Sequence, residues 1–391
     1  MGVSRRMHLT HIMSLSAGWS LLPSRTLAAQ ESAAVPADGR SPEDIPNPGR
    51  TLRFPRDFGA HPGSRTEWWY LTGSLQIEGE APRRFGFQIT FFRSRTDVAP
   101  GNPSAFAPHQ LLFAHAAVTD LAGRRLLHDQ RLARAGFGLA EASTRDTAVR
   151  LRNWTLRREG PTEQSRYLGH IEAGDFVLDL RFDQTQPVLL QGQAGFSRKG
   201  PDVTQASHYY SHPQLRATGH LTLKRPTGQS SPPREAVAVT GLAWMDHEWS
   251  ETVMHPDAVG WDWIGMNLAD GSALTAFRLR RADGSTLWTG GSWRAPGQPA
   301  RAFTHGEVQF APGRVWRSPA TGAAYPVSWT LTLPQGRRYT VQAELDNQEL
   351  DSRGSTGSVY WEGLSVLRDA TGQAVGSGYL EMTGYASRLA L

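Results

Sequence analysis

Phe85, Phe87, Ile89 and Phe91 alternate with Gly86, Gln88 and Thr90. The same two-residue period returns in Phe176, Leu178, Leu180 and Phe182 against Asp175, Val177, Asp179 and Arg181. It returns again in Trp329, Leu331 and Leu333, and in Tyr339, Val341, Ala343 and Leu345. A period of two places alternate side chains on opposite faces of a strand, one buried and one wetter. Turn-forming pairs separate the runs: Ala122-Gly123, Asp270-Gly271, Asp283-Gly284, Gln335-Gly336 and Thr371-Gly372. Helical periodicity is scarce, and the best candidate is a short piece over 131–142. The pattern predicts an all-β, mostly antiparallel chain.

A Pro-, Ser- and Gly-rich stretch, Lys224–Glu235 (KRPTGQSSPPRE), breaks the pattern. It divides the chain into 51–235 and 236–391, each of a size for a β-barrel of about eight to ten strands. A faint internal echo suggests duplication: WWYLTGSL at 68–75 opens a hairpin in the first half, and WDWIGMNL at 261–268 does so in the second.

The first 30 residues read differently. Ser4-Arg5-Arg6-Met7-His8-Leu9 resembles a twin-arginine export signal, followed by a short apolar stretch and small residues at Ala28-Ala29. Residues 31–50 are polar and Pro-rich and read as a linker. The expected address is therefore the periplasm or the exterior. The formal net charge of +5 is modest and shows no basic block, so nucleic acid is not an expected partner. Cys is absent, which excludes a thiol nucleophile, a thiolate metal site and an acylated lipoprotein cysteine.

Two clusters carry candidate chemistry. Trp244-Met245-Asp246-His247-Glu248-Trp249 packs two acids, an imidazole and two indoles into one segment. In an extended chain Trp244, Asp246 and Glu248 share one face, and Met245, His247 and Trp249 the other. A carboxyl among indoles is poorly solvated, stays protonated near neutrality and can protonate an alkene. The resulting cation would be stabilised by aromatic faces, and the carboxylate could take a proton from attacking water. Asp246, Glu248 and His247 are thus the candidate catalytic residues, with Trp244 and Trp249 lining a pocket. Strand-end acids paired with arginines would look the same. In the second cluster, Ser207–His212, the residues His208, Tyr210 and His212 fall on one strand face, as pocket residues or as hydrogen-bonded strand residues. His115, which follows His109 along one apolar strand face, and Trp69, in the Glu67-Trp68-Trp69-Tyr70 segment, are further pocket candidates, with a core histidine and a packing tryptophan as the alternatives; Glu67 beside Arg65 reads as a buried pair.

Four segments together resemble the AttH/CrtC lipocalin-like family: RTEWWYLTGSL (65–75), FGFQITFFR (85–93), GLAWMDHEWSE (241–251) and YWEGLSVL with GSGYLEMTGY (360–367, 376–385). The resemblance implies two lipocalin-like antiparallel barrels in tandem. One branch of the family adds water to a terminal isoprenoid double bond, with an Asp in a segment comparable to that around Asp246. Another branch is exported and described as secreted hydrolases, and the leader and the Glu-Trp-Trp-Tyr wording place this chain nearer to it. The resemblance also implies that Trp69 plugs one barrel end, and it points to a membrane transporter as a partner.

His247-Glu248 lacks the second His of a zincin, and nothing in the spacing demands a metal. No Gly-x-Ser-x-Gly elbow, phosphate loop or dinucleotide fingerprint is present, so no cofactor is expected. The expected ligand is a hydrophobic small molecule, isoprenoid or lipid. Three activities fit: a hydro-lyase with Asp246 as acid, a carrier without chemistry, and a secreted hydrolase.

Overall fold

The computed structural model describes residues 44–77, 83–98, 102–104, 106–224, 235–252 and 254–389. The leader, most of the linker and the interior of the Lys224–Glu235 break lie outside the described residues. Everything with regular structure is strand, apart from short 3-10 turns.

Thirteen strands form the first sheet. They are β1 Thr66–Ile77, β2 Arg83–Arg95, β3 Gln110–Asp120, β4 Arg125–Arg134, β5 Ala140–Ala142, β6 Ala148–Leu151, β7 Trp154–Glu159, β8 Arg166–Glu172, β9 Phe176–Asp183, β10 Leu189–Leu190, β11 Phe196–Arg198, β12 Ala206–Leu223 and β13 Val237–Ser250. The main order is β4-β3-β2-β1-β13-β12-β9-β8-β7-β6-β5, every pair antiparallel. The sheet rolls so that β3 and β4 at one end approach β6 near the other, and Arg131 of β4 donates to the Glu172 carbonyl of β8 at 3.0 Å, making a nearly closed barrel.

A ten-stranded sheet contains β14 Gly260–Leu268, β15 Ala273–Arg280, β16 Thr286–Arg294, β17 Arg301–Phe303 and β18 Gln309–Pro312. It continues, after a small separate ribbon of β19 Val315–Arg317 and β20 Ala324–Pro326, with β21 Ser328–Thr332, β22 Arg338–Ala343, β23 Glu349–Ser352, β24 Ser358–Arg368 and β25 Ala374–Met382. Its order, β17-β16-β15-β14-β25-β24-β22-β21-β18, repeats the plan of the first. In each sheet the opening strand sits between its hairpin partner and the closing strand: β1 between β2 and β13, β14 between β15 and β25. The echo between 68–75 and 261–268 is this shared position.

Two expectations change. The first sheet needs β13, which forms ladders with both β1 and β12 and gives Ala243, Met245 and Trp249 to the first core. The chain therefore crosses between sheets at 251–259 rather than at 235/236. The helical piece over 131–142 is instead the end of β4, a turn and β5. Gly136 and Gly138 hold φ of +96° and +68° there, which an α-helix does not accommodate.

Each sheet encloses an apolar core, and a third cluster lies between them. That middle layer contains Tyr70, Trp244, Trp263, Phe277, Leu364 and Tyr379. Gly86 permits the close approach, since a Cβ there would fall 2.6 Å from the Tyr379 hydroxyl and 2.9 Å from Leu364 Cβ. Across the same seam Arg84 forms two 2.9 Å bonds to Glu344, and Thr119 donates to Gln348 at 2.8 Å.

Candidate functional site

Strand alternation sorts the clusters. On β13, Ala243, Met245, His247 and Trp249 face the first core; Trp244, Asp246 and Glu248 face the second sheet. On β12, His208, Tyr210 and His212 point inward, while Ser207, Tyr209 and Ser211 point outward. Register then places Tyr70 and Ser211 on either side of Asp246, and Trp68 and Tyr209 on either side of Glu248.

The outward groups line a cavity between the sheets, about 1250 Å³ including the solvent at its mouth. Trp68, Tyr70, Phe92, His115, Tyr209, Asp246 and Glu248 come from the first sheet; Trp261, Trp263, Phe277, Tyr360, Glu362 and Glu381 come from the second. An aromatic lining with a few convergent polar groups suits a small apolar ligand.

Asp246 is 3% exposed. One carboxylate oxygen accepts from Ser211 Oγ at 2.5 Å and Trp244 Nε1 at 2.7 Å; the other accepts from the Tyr209 hydroxyl at 2.7 Å. Burial pushes its pKa up to about 7, outweighing these three bonds, and the nearby Glu248 charge adds to the rise. The group is therefore divided between acid and carboxylate near neutrality. Trp263 Nε1 donates to the Tyr209 hydroxyl at 3.2 Å, and Gln191 Nε2 donates to Ser211 Oγ at 2.8 Å. Gln191 in turn accepts from Ser292 at 2.8 Å. The Tyr209 hydroxyl is thus oriented directly from the second sheet, and the Ser211 hydroxyl through Gln191, which Ser292 of the second sheet holds. Glu248 accepts from Ser207 and pairs with Lys199 at 2.9 Å, whose ammonium also lies 4.2 Å from the Phe277 ring centre.

Facing them, Glu362 and Glu381 are direct cross-strand neighbours on β24 and β25. Burial raises both pKa values. The Glu381 charge raises Glu362 further, and Asp246 and Glu248 raise Glu381. His115 bonds Tyr360 and Ser355, each at 2.8 Å; burial lowers its pKa to about 3 and keeps it neutral.

The other sequence-selected residues lie inside the first barrel. His247, fully buried, bonds Glu67 through Nε2 at 2.8 Å and the Tyr210 hydroxyl through Nδ1 at 3.0 Å. Burial lowers its pKa to about 4 despite the Glu67 bond. It shares no space with Asp246, because neighbouring strand positions point to opposite faces. Trp69 stacks on His247, and Trp249 stacks on His61 at 3.6 Å. His208 accepts from the Asn47 amide, and burial holds it at about 4. His212, held at about 3 by burial, sits among Phe58, Tyr167 and Tyr210. None of His247, Trp249, His208, Tyr210, His212 or Trp69 lines the cavity. Of the proposed pocket set, His115 lines it, and Trp244 contacts it through Asp246.

Glu67 pairs with Arg93 at 2.7 Å rather than with Arg65, which turns to Asp97. Burial alone would raise Glu67, but Arg93 and the His247 and His61 bonds hold it well below the usual carboxylate range. His61, Glu67 and His247 are the group among the described residues whose donor atoms lie close enough to share an ion. Those atoms already bond one another at 2.8 Å, and Arg93 supplies the neutralising charge, so the cluster reads as a barrel-end polar network. A shared metal among His208, His212, His247 and Asp246 is excluded by the opposite face of Asp246.

Sequence reading missed Ser207, Tyr209, Ser211, Lys199, Tyr70, Glu362 and Glu381. The three on β12 are the alternate positions of a segment already singled out. Glu362 and Glu381 are acids inside otherwise apolar strand runs, which was their available signal.

No curated protein matches the chain significantly. A solved structure of a Nitrosomonas europaea protein assigned as an AttH is 45% identical and covers 87% of this chain and 99% of its own, with a TM-score of 0.77. Kievitone hydratase from Nectria haematococca is 14% identical, covers 88% of this chain and 98% of its own, and gives a TM-score of 0.63. CghA, solved with Sch210972, is 12% identical, covers 89% and 96%, and gives 0.52. At such identities these two show a common fold. The AttH-like family model matches residues 45–385, and with the Nitrosomonas protein it establishes that this chain belongs to the AttH-like family.

Proposed function

We propose that the protein adds water to a double bond of an apolar, isoprenoid-like ligand held between the sheets, with Asp246 as the acid. The observation that carries this reading is a carboxyl buried in an aromatic cavity, with burial holding its pKa near 7. Protonated Asp246 gives its proton to the alkene carbon, and the π electrons form the new C–H bond. The positive charge left on the neighbouring carbon is stabilised by the indole faces of the lining. Water attacks that carbon, and its surplus proton returns to the Asp246 carboxylate, restoring the acid. The Ser211 and Tyr209 hydroxyls can each turn from donating to accepting as the carboxyl gains or loses its proton. A fold shared with a protein named as a hydratase supports the reading without carrying it. Export remains part of the proposal, on the strength of the leader alone.

The test has two steps. Protein purified from a host that makes isoprenoids is extracted with organic solvent, and co-purifying compounds are identified by mass spectrometry. Turnover of terminal-alkene isoprenoids is then compared in wild type and Asp246→Asn. Hydration lost in the variant, with ligand binding kept, is the expected result. Undiminished hydration, or stoichiometric binding with no product in the wild type, overturns it; the latter would leave a carrier.

A further inference from the structure

We infer that the second-sheet wall of the cavity is an anchor for a hydroxyl group, so that the ligand is an amphipathic alcohol or phenol rather than a plain hydrocarbon. The inference deepens the reading above, since it concerns the ligand of the same cavity. Three lining atoms carry it. Glu362 Oε1, the Tyr70 hydroxyl and Gln88 Oε1 are buried and none meets a partner in good hydrogen-bond geometry; the Tyr70 hydroxyl faces Glu362 and Thr72, near enough to interact with both but not to satisfy either well. Glu362, Tyr70 and Gln88 are 3%, 6% and 2% exposed. Buried polar atoms are rarely left poorly paired, so a lining that gathers three of them favours a ligand with a polar group able to bond them.

The surroundings show what kind of group fits. Gln88 spends its amide nitrogen on Thr90 and the Tyr360 hydroxyl, each at 3.1 Å, leaving its oxygen as acceptor. Tyr360 is held on its other side by His115 at 2.8 Å. The unfilled set is therefore two acceptors, Glu362 Oε1 and Gln88 Oε1, and one hydroxyl, Tyr70, able to donate. An alcohol or phenol donates one hydrogen and accepts another, matching Glu362 and Tyr70 together. An anionic ligand is disfavoured, because Asp246, Glu248, Glu362 and Glu381 line the cavity against Lys199, which already pairs with Glu248. An ammonium could donate to the acceptors of this acid-rich wall, but it has no lone pair with which to accept from the Tyr70 hydroxyl, which an alcohol or phenol does. The ligand would then lie with its polar end at β24 and β1 and its apolar body along the indoles toward Asp246.

Farnesol, farnesene and farnesylamine share one apolar tail and serve as probes, read by quenching of the lining tryptophans in the full chain. Wild type should bind farnesol at least about tenfold more tightly than farnesene, the penalty expected when a site built for a hydroxyl is left unfilled. Glu362→Leu should bring the two affinities within about threefold, whereas Glu362→Gln, which keeps an acceptor oxygen, should retain the preference. Tyr70→Phe gives an independent reading if Glu362→Leu does not fold, and should reduce the ratio. Equal wild-type affinities, an unchanged ratio in the Leu and Phe variants, or tightest binding of farnesylamine would overturn the inference. Asp246→Asn should keep the farnesol preference. Preference without any water addition would sink the hydratase reading alone; hydration without preference would sink this one alone.

Discussion

Asp246→Asn should stabilise the protein, and by more as the pH rises. The carboxyl has an ordinary pKa of 3.8 and is held at about 7 in the fold. Between those values the unfolded chain has released the proton while the folded chain keeps it. Unfolding therefore releases a proton, and wild-type stability falls as pH increases through this window. The interval is about three pH units at 1.36 kcal/mol each, so ionisation of Asp246 costs on the order of 4 kcal/mol by pH 7. Asparagine removes that cost while keeping the volume. It places an amide where one of three donors, Ser211, Tyr209 or Trp244, now points. A hydroxyl can turn to accept from it, and any residual mismatch is a constant offset in pH. Urea titrations followed by tryptophan fluorescence at intervals from pH 4 to pH 8 would measure the difference between the two proteins. It should grow by a few kcal/mol up to about pH 7 and then level. Relief of repulsion on Glu381 in the variant acts in the same direction. Parallel curves for the two proteins would refute the argument that burial holds this group protonated.

Lys199→Met leaves Glu248, 5% exposed, with Ser207 as its remaining partner among the described residues; a loss of about 3–5 kcal/mol in urea unfolding is expected, largely recovered in the double variant with Glu248→Gln. Glu67→Gln leaves the Arg93 guanidinium, 2% exposed, without its counter-charge, and should cost about 3–5 kcal/mol in the same assay without abolishing binding in the inter-sheet cavity. Replacing Arg5 and Arg6 together by lysine should move the protein from the periplasmic to the cytoplasmic fraction of expressing cells; an unchanged distribution would contradict a twin-arginine leader.

The strand content was legible because alternation is a local property. Phe85 to Phe91 and Phe176 to Phe182 are read from the chain and lie on β2 and β9 as expected. The pairing of Trp244, Asp246 and Glu248 on one face was legible for the same reason. The helical reading at 131–142 failed because hydrophobic spacing did not weigh Gly136 and Gly138, whose backbone is positive in φ. The boundary at 235/236 failed because a Pro-rich stretch marks a loop, while sheet membership is decided by which edges a strand completes. Val237–Ser250 completes the gap between β1 and β12.

Local periodicity and the motifs around Trp68 and Asp246 determined the all-β class, the twofold plan, the family and the shared strand face of Asp246 and Glu248. Which side of β12 and β13 faces a ligand was not local information. A strand has two faces, and only the docking of the second sheet made the outer one a cavity. That docking turned His208, Tyr210, His212 and His247 into barrel-interior residues and brought Ser211 and Tyr209 onto Asp246. It also set Glu362 and Glu381, more than 110 residues downstream, on the wall of the same space. The raised pKa of Asp246 belongs to that same level, since desolvation comes from the packed surroundings and not from the residue's neighbours in sequence.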